Sequence, residues 1–323
     1  MSAPSSHGES APDDRIRLYD SHAHLVSDDL VRYPRNPFRL EPSSDGKPAI
    51  RPPFGPGTLG IPGGMHGPRP VNEKPTAEQM AKWMAEENVV GMAAVQKGMI
   101  YGTDNNYIVD AAGLYPDRMR AVIILDPAAA ETPAMMRDLA RRGAVSVRFF
   151  PVNVEDKAAW LTSPAALTVW SLADELGMVI DLEAPPYDAD LLIPTVETMA
   201  DRFPGLSIVL DHIFMPKVTE PDFGIDARYD GFAARANIFV KFTSLNMDYI
   251  REQGVSPTAV LRRAVDVFGA DAVMWGSDIG TSSGTYKEMV ERAIASTALL
   301  DDDERRKVLH DTGRRVFVGW DGN

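Results

Sequence analysis

The sequence contains no cysteine among its 323 residues. It therefore has no disulfide bond, no cysteine-ligated zinc and no thiol nucleophile, and the composition suits the cytoplasmic location that we predict. It also lacks any run of about 18 apolar residues, so no transmembrane helix is expected. Residues 1–15 are rich in serine, proline and acidic residues and have no apolar stretch. We predict a disordered tail there and no signal peptide.

Basic residues are also scarce. Lysine and arginine total 33 against 46 aspartates and glutamates, which gives a formal net charge of −13. Such a surface repels phosphate backbones, so we predict no nucleic-acid partner and no membrane partner. A small anionic substrate stays compatible with this charge if local cations outweigh it. A homo-oligomer is left open.

The sequence also lacks a glycine-rich loop after an early strand, the feature that binds phosphates in doubly wound sheets. Apolar runs instead alternate with helix-length segments; Thr76, Thr132 and Ser163 are suited to cap helices and Gly177 to end one. This alternation predicts βαβ units, a parallel sheet and, with eight strands, a (β/α)8 TIM barrel in a single domain over residues 16–323. A doubly wound open sheet is the alternative. The predicted strands are 18–23, 89–95, 120–125, 144–150, 178–183, 207–212, 238–243 and 272–275.

Residues 33–75 interrupt this alternation directly after the first strand. The stretch is dense in proline and glycine, which disfavour regular elements. A structureless segment of this length inside a compact domain is usually a lid or a binding loop, so we predict an active-site loop. A surface insert without function is the alternative.

His22 and His24 lie at the end of the first predicted strand. Their i, i+2 spacing sends both imidazoles to one face of a strand. Two converging imidazoles make half of a metal site or half of a cluster that polarises a carbonyl. A chance pair at a solvated edge is the alternative.

Other polar side chains fall at the ends of the remaining strands, where the catalytic groups of a barrel gather. Asp278 follows a hydrophobic strand as a candidate general base or metal ligand, or else as a helix cap. His212 is a candidate site residue or a hydrogen-bonded core histidine. The full set is His22, His24, Gln96, Asp126, Arg148, Asp181, Glu183, His212, Lys241 and Asp278.

Two cations in this set need anionic partners if they are buried. For Arg148 the partner is Asp181, Glu183 or a substrate carboxylate, which a guanidinium binds in bidentate fashion. Lys241 is either a second substrate anchor or a structural partner of a barrel carboxylate.

The His-x-His pair, the Val-Leu-Asp-His strand and the Trp-Gly-Ser-Asp strand resemble the amidohydrolase superfamily over residues 18–317. They look closest to the amidohydrolase-2 branch that contains 2-pyrone-4,6-dicarboxylate lactonase. Further similar stretches are Ala94-Val95-Gln96, Gly102-Thr103-Asp104-Asn105, Ser146-Val147-Arg148-Phe149 and Leu182-Glu183-Ala184.

The resemblance implies a catalytic cluster of His22, His24, His212 and Asp278, with Arg148 holding a substrate carboxylate. The loop after the seventh strand falls where the lactonase has a further substrate-binding arginine. The remaining substrate-binding candidates are therefore Tyr249 and Arg251 in that loop, together with Gln96 and Lys241.

This sequence departs from the metal-dependent members of the superfamily at the fifth strand, which reads Val-Ile-Asp-Leu-Glu-Ala and has no histidine. The lactonase branch is metal-independent, so no metal or other cofactor is expected. If zinc or manganese is present, the expected ligands are His22, His24, Asp181 and Asp278.

From these features we predict a hydrolase that opens a carboxylated lactone ring. The histidines would polarise the carbonyl, Asp278 would accept a proton from water and Arg148 would position the substrate. The alternatives are a zinc- or manganese-dependent hydrolase or decarboxylase, a lactone isomerase, and a barrel that binds a small acid without turnover.

Overall fold

The computed structural model describes residues 16–38, 74–151, 154–183 and 189–319. The predicted tail and residues 39–73 of the predicted active-site loop lie outside them. Eight strands form one parallel sheet in sequence order. They are Leu18–His24 (β1), Val89–Val95 (β2), Met119–Ile124 (β3), Ala144–Phe149 (β4), Val179–Leu182 (β5), Ile208–Leu210 (β6), Ile238–Thr243 (β7) and Val273–Gly276 (β8).

Helices follow the strands around the outside of the sheet. They are Ala77–Glu86 (α1), Gly98–Tyr101 (α2), Asn106–Leu114 (α3), Thr132–Arg141 (α4), Lys157–Leu161 (α5), Pro164–Leu176 (α6), Ala189–Arg202 (α7), Asp230–Ala233 (α8), Ser244–Glu252 (α9), Pro257–Phe268 (α10), Tyr286–Ser296 (α11), Asp302–Arg306 (α12) and Thr312–Val318 (α13). In the part of the chain that the structure describes, none of them is long and apolar enough to cross a membrane.

The sheet closes where the last strand returns to the first. Ala23 and Ile279 form a parallel bridge, and the Asp278 N–H donates to the His22 carbonyl at 2.7 Å. The predicted single-domain (β/α)8 barrel is therefore confirmed as a fold, since strand order and closure are those of a TIM barrel.

Local chemistry accounts for several helix ends. The Ser163 hydroxyl accepts from the Ala166 N–H, and Gly177 ends α6 with a φ of 66°, as predicted for both residues. The prediction that Thr132 caps a helix was wrong. Glu131 occupies the cap position of α4, and the Thr132 hydroxyl donates instead to the Asp126 carbonyl.

Two segments near the mouth of the barrel also differ from expectation. The segment after β7 was predicted as a loop but forms α9, which buries the apolar side chains of Leu245, Met247 and Ile250. The sixth strand ends two residues early, because His212 and Ile213 adopt left-handed φ values of 55° and 52°. At this turn the chain changes direction, and the polar residues of the site begin there.

The interior of the barrel is built in layers of alternate residues from each strand. The lower layer is apolar and includes Val179, Val209, Phe239 and Met274. Because side chains at i and i+2 share a face of a strand, the next inward positions are Asp181, Asp211, Lys241 and Gly276. The layers thus change from apolar to charged towards the carboxyl ends of the strands, where the site lies.

Candidate active site

Three proton-accepting atoms converge at the mouth of the barrel. His22 Nε2 and His24 Nε2 lie 3.4 Å apart, and Asp278 Oδ1 lies 3.2 Å from His24 Nε2 and 3.8 Å from His22 Nε2. All three side chains are buried. The structure therefore brings together three of the four residues predicted to be catalytic, from β1 and the end of β8.

Hydrogen bonds on the far side of each ring decide which nitrogen carries the proton. His24 Nδ1 lies 2.8 Å from the Val95 carbonyl, which can only accept, so this nitrogen carries the hydrogen. His22 Nδ1 lies 3.0 Å from Asp211 Oδ1 and 3.3 Å from Lys241 Nζ, and we assign its hydrogen to the shorter contact, with the carboxylate. Each neutral ring thus presents a bare Nε2 to the other and to Asp278.

The charge states of the three residues agree with this arrangement. Burial lowers the pKa of His24 to about 4 and that of His22 well below its usual range, so both imidazoles are neutral near pH 7. Burial acts to raise the pKa of Asp278, but the contacts of its carboxylate with His24 and the adjacent imidazoles outweigh it and hold that pKa well below its usual range. Three acceptors therefore face one another without a hydrogen among them.

Asp278 occupies a backbone conformation that aspartate seldom adopts, with a φ of 48°. Its carbonyl accepts from the Thr281 and Ser282 N–H groups, while its carboxylate faces the histidines. The Asp278 side chain therefore does not cap a helix, which was the alternative prediction.

His212 lines the same pocket from the left-handed turn after β6. Its Nδ1 lies 2.7 Å from Thr243 Oγ1, and the Thr243 hydroxyl donates to Asn246 Oδ1. The His212 Nδ1 therefore carries a hydrogen as well, and its Nε2 lies 3.7 Å from Glu183 Oε2. Its burial and fixed ring fit a core histidine, yet Nε2 stays on the pocket side.

Arg148 was expected to need an anionic partner, and it has two. Its Nε donates to Asp211 Oδ2 at 2.7 Å, and its Nη2 donates to Glu183. Glu183 was one of the predicted partners; Asp211 was not singled out in the sequence. Its only signal there was its place in the Val-Leu-Asp-His stretch beside His212.

Lys241 and Asp181 pair with each other below the pocket. Lys241 Nζ lies 2.5 Å from Asp181 Oδ2 and 3.0 Å from Asp211 Oδ1. Of the two interpretations of Lys241, the structure favours the structural pair. Asp181, predicted as a ligand if a metal is present, has its carboxylate on Lys241 and lies outside the groups of described residues whose ligand atoms converge.

Three predicted substrate-binding residues do not line the pocket that the described residues form. Gln96 is buried and donates to the Asp104 carbonyl, Tyr249 packs against Leu245 and Met215, and Arg251 is exposed on the last turn of α9. The residues that line it are His24, Lys97, Gly98, Met99, Arg148, Phe150, Glu183, His212, Leu245, Asp278 and Thr281. Lys97 was not predicted from the sequence, because it lies one residue beyond Gln96, which follows the last residue of β2.

The spacing of the three acceptors fits a divalent cation. Zinc bonded tetrahedrally at about 2.0–2.1 Å holds its ligand atoms about 3.3 Å apart, close to the 3.2–3.8 Å separations of His22, His24 and Asp278. The carboxylate and carbonyl behind the two rings are the outer partners that metal-bound histidines usually have. These three residues could therefore hold zinc or manganese.

Comparison with known proteins places this geometry in context. A family model described as Amidohydrolase (Amidohydro_2) matches residues 19–318. No curated protein sequence matches the chain.

Solved structures with a similar fold come from several bacteria. A probable 2-pyrone-4,6-dicarboxylic acid hydrolase from Acinetobacter baumannii, with citric acid bound, is 16% identical with a TM-score of 0.66 over 94% of this chain and 100% of that one. A candidate hydrolase for the same acid from Pseudomonas putida is 20% identical, with a TM-score of 0.66 over 94% and 98%. An amidohydrolase from Burkholderia multivorans with bound zinc is 18% identical, with a TM-score of 0.66 over 94% and 99%. At these identities the likeness shows the fold alone.

Proposed function

The chain belongs to the amidohydrolase family, and from that membership and the charges in its pocket we propose that it hydrolyses a lactone that carries a carboxylate. One observation carries the proposal: three acceptor atoms of His22, His24 and Asp278 converge beside the cations Lys97 and Arg148. Ring opening by water needs a base for the water, positive charge for the developing oxyanion and an anchor for the substrate. The pocket holds a candidate for each.

Asp278 is the proposed base. Its carboxylate is ionised, buried and 3.2 Å from His24 Nε2. A water on Asp278 would lose a proton to this carboxylate, and the bare Nε2 of His24 would share that proton. A substrate such as 2-pyrone-4,6-dicarboxylic acid, the acid in the names of two structural relatives, would suit this site.

The neutral rings of His22 and His24 cannot themselves stabilise an oxyanion, because their hydrogens point away from the pocket. That role therefore falls to a hydrogen-bond donor or cation on the pocket wall, for which Lys97 and Arg148 are present. Polarisation of the carbonyl by histidine, as expected from the sequence, would require a second proton on a ring.

A second candidate is a metal-dependent hydrolase or decarboxylase, and the spacing of the three acceptors favours it. When bound, zinc or manganese would supply a Lewis acid for the carbonyl and lower the pKa of a water. His22, His24 and Asp278 would hold it, and Asp211 and the Val95 carbonyl would orient the two rings.

The proposal is tested by turnover of a lactone panel, each ring with and without a carboxylate, by wild type and Asp278→Asn. We expect the variant to lose roughly 10²–10⁴-fold in kcat, because the base is gone, while ligand binding persists. Asp126→Asn is the matched control, since Asp126 also follows a strand but is exposed and outside the cluster. Full activity of Asp278→Asn would refute its role as base.

Metal analysis separates the two candidates. The metal content of protein purified without chelator is measured by plasma mass spectrometry. Turnover is then measured after chelation and again after addition of zinc or manganese. Near-stoichiometric metal and loss of turnover on chelation would establish the metal-dependent candidate. Undiminished turnover by metal-depleted protein would show that the side chains catalyse the reaction without a metal. Product analysis by NMR would distinguish hydrolysis from isomerisation or decarboxylation.

A further inference from the structure

Lys97 is a buried cation in the pocket wall and one of the two candidates for stabilising the oxyanion. It follows β2 directly, precedes α2 and is 4% exposed. Its side chain lines the same pocket as His24, Asp278 and His212. A buried ammonium is costly unless something in the protein or its ligand compensates the charge.

The described part of the chain supplies little compensation. The Lys97 ammonium donates to the Thr281 hydroxyl, and no carboxylate oxygen of a described residue lies within 4.0 Å of it. An ammonium has three hydrogens, so donors are left for a ligand after the bond to Thr281. Burial lowers the pKa of Lys97 to about 8, and the group is still mostly charged near pH 7.

Arg148, the other cation in the wall, is already neutralised. Asp211 and Glu183 accept from two of its nitrogens, and both are buried with it. A substrate carboxylate arriving at Arg148 would meet Glu183, which carries the same charge and lines the same pocket. Among the described residues no carboxylate is within 4.0 Å of the Lys97 ammonium, and Asp278 and Glu183 attract its charge only from a greater distance.

We propose that Lys97, with the Thr281 hydroxyl beside it, binds the carboxylate of the substrate and makes the site specific for anionic lactones. This inference rests on the proposed function and names the substrate class of the same site. It assigns the anchoring role expected of Arg148 to a different residue, and it leaves Arg148 as the residue that positions Glu183 and Asp211.

The test compares wild type, Lys97→Met and Lys97→Gln on one lactone with a ring carboxylate and on the same lactone with a carboxamide. For the carboxylate we expect KM to rise roughly 10- to 100-fold, the usual range for a lost charge-assisted hydrogen bond. For the carboxamide, KM should change less than about threefold, and any fall in kcat should be the same for the two substrates. Lys82→Met, on an exposed lysine of α1, is the matched control and should change neither.

Folding of the variants is checked by thermal unfolding. Removing a buried charge that no described carboxylate contacts directly should leave the melting temperature of Lys97→Met equal to or above that of wild type. A large drop would show that the charge is paired within the protein, and it would overturn the anchor. Lys97→Gln keeps a donor for Thr281 and separates loss of charge from loss of that hydrogen bond.

Binding of a stable ligand pair separates failure of the anchor from failure of the proposed function. Benzoate and benzamide are titrated calorimetrically into wild type and Lys97→Met. If benzoate binding depends on Lys97 but no lactone is turned over, Lys97 binds carboxylates and the protein is not a lactonase. Lactone turnover with an unchanged KM for the carboxylate in Lys97→Met would reject the anchor and keep the lactonase.

Discussion

Asp211 contacts more buried ionisable side chains than any other residue of the site described above. It accepts from Arg148 Nε at 2.7 Å, lies 3.0 Å from Lys241 Nζ and 3.0 Å from His22 Nδ1, and is fully buried. Burial acts to raise the pKa of Asp211, but Lys241 and Arg148 outweigh it and hold that pKa well below its usual range. One carboxylate thus compensates two cations and sets the tautomer of a site histidine.

Asp211→Asn is therefore expected to destabilise the fold by about 3–5 kcal/mol, because it leaves buried cations without their partner. The free energy of unfolding in urea is the measurement, and turnover should fall with it as His22 loses its orienting acceptor. Asp201→Asn removes a carboxylate from an exposed pair with Arg235 and should cost less than about 1 kcal/mol. Equal losses in the two variants would contradict the central role of Asp211.

At the scale of elements, the approach of β8 to β1 positions His22. A Cβ built on Gly276 would lie 2.7 Å from the His22 Cβ, closer than such atoms come in proteins. Asp278 lies two residues beyond Gly276, the last residue of β8, and its N–H donates a hydrogen bond to the His22 carbonyl. This bond holds the two strands together. Glycine is required here by the close contact and not by its φ.

Gly276→Ala is expected to displace His22 and to lower kcat by more than about tenfold, since small shifts of a catalytic group reduce turnover strongly. Kinetics and thermal unfolding are measured together, with Gly113→Ala as control. Apart from the backbone of α3 itself, no atom of the described residues lies within 4 Å of a Cβ at Gly113, so that variant should be neutral or slightly stabilising. Wild-type turnover in Gly276→Ala would show that the contact does not position the site.

At the scale of the whole molecule, closure of the barrel depends on a buried carboxylate. Asp20 Oδ1 accepts from the Ser277 N–H at 2.8 Å and the His22 N–H at 3.1 Å, and its Oδ2 accepts from the Tyr286 hydroxyl at 3.1 Å. These bonds join β1 to the end of β8 and to α11. Burial raises the pKa of Asp20 to about 6 despite them.

The raised pKa makes the stability of the barrel depend on pH. An aspartate of the unfolded chain titrates near 3.8, so the folded protein binds the proton more tightly. The resulting stabilisation is full below that pH and is lost as pH rises through about 6. The difference in unfolding free energy between wild type and Asp20→Asn should therefore fall by about 2–3 kcal/mol between about pH 4 and pH 7. A difference that stays constant with pH would show that Asp20 does not titrate in this range.

Much of the architecture follows from local sequence patterns. Alternating apolar runs and helix-length segments predict eight strands and a barrel, because burial on both faces of a parallel sheet requires such runs. The His-x-His pair and Asp278 fall at strand ends for the same reason. The position of the site at one end of the barrel was thus predictable from single residues and their spacing.

By itself, then, the sequence determined the barrel, the end of it that carries polar groups, and the identity of His22, His24 and Asp278. Only the tertiary structure decided that Asp211 and not Asp181 joins the histidine cluster, that Lys97 and not Gln96 enters the pocket, and that Arg251 faces outward. For Gln96 and Lys97 the physical reason is that neighbouring residues of a strand point to opposite faces, so an uncertainty of one residue at a strand end reverses which side chain points inward. Asp181 and Asp211 both point inward, and Arg251 lies on a helix that the sequence did not predict. Which charges then meet depends on strands far apart in sequence, and no local pattern records that pairing.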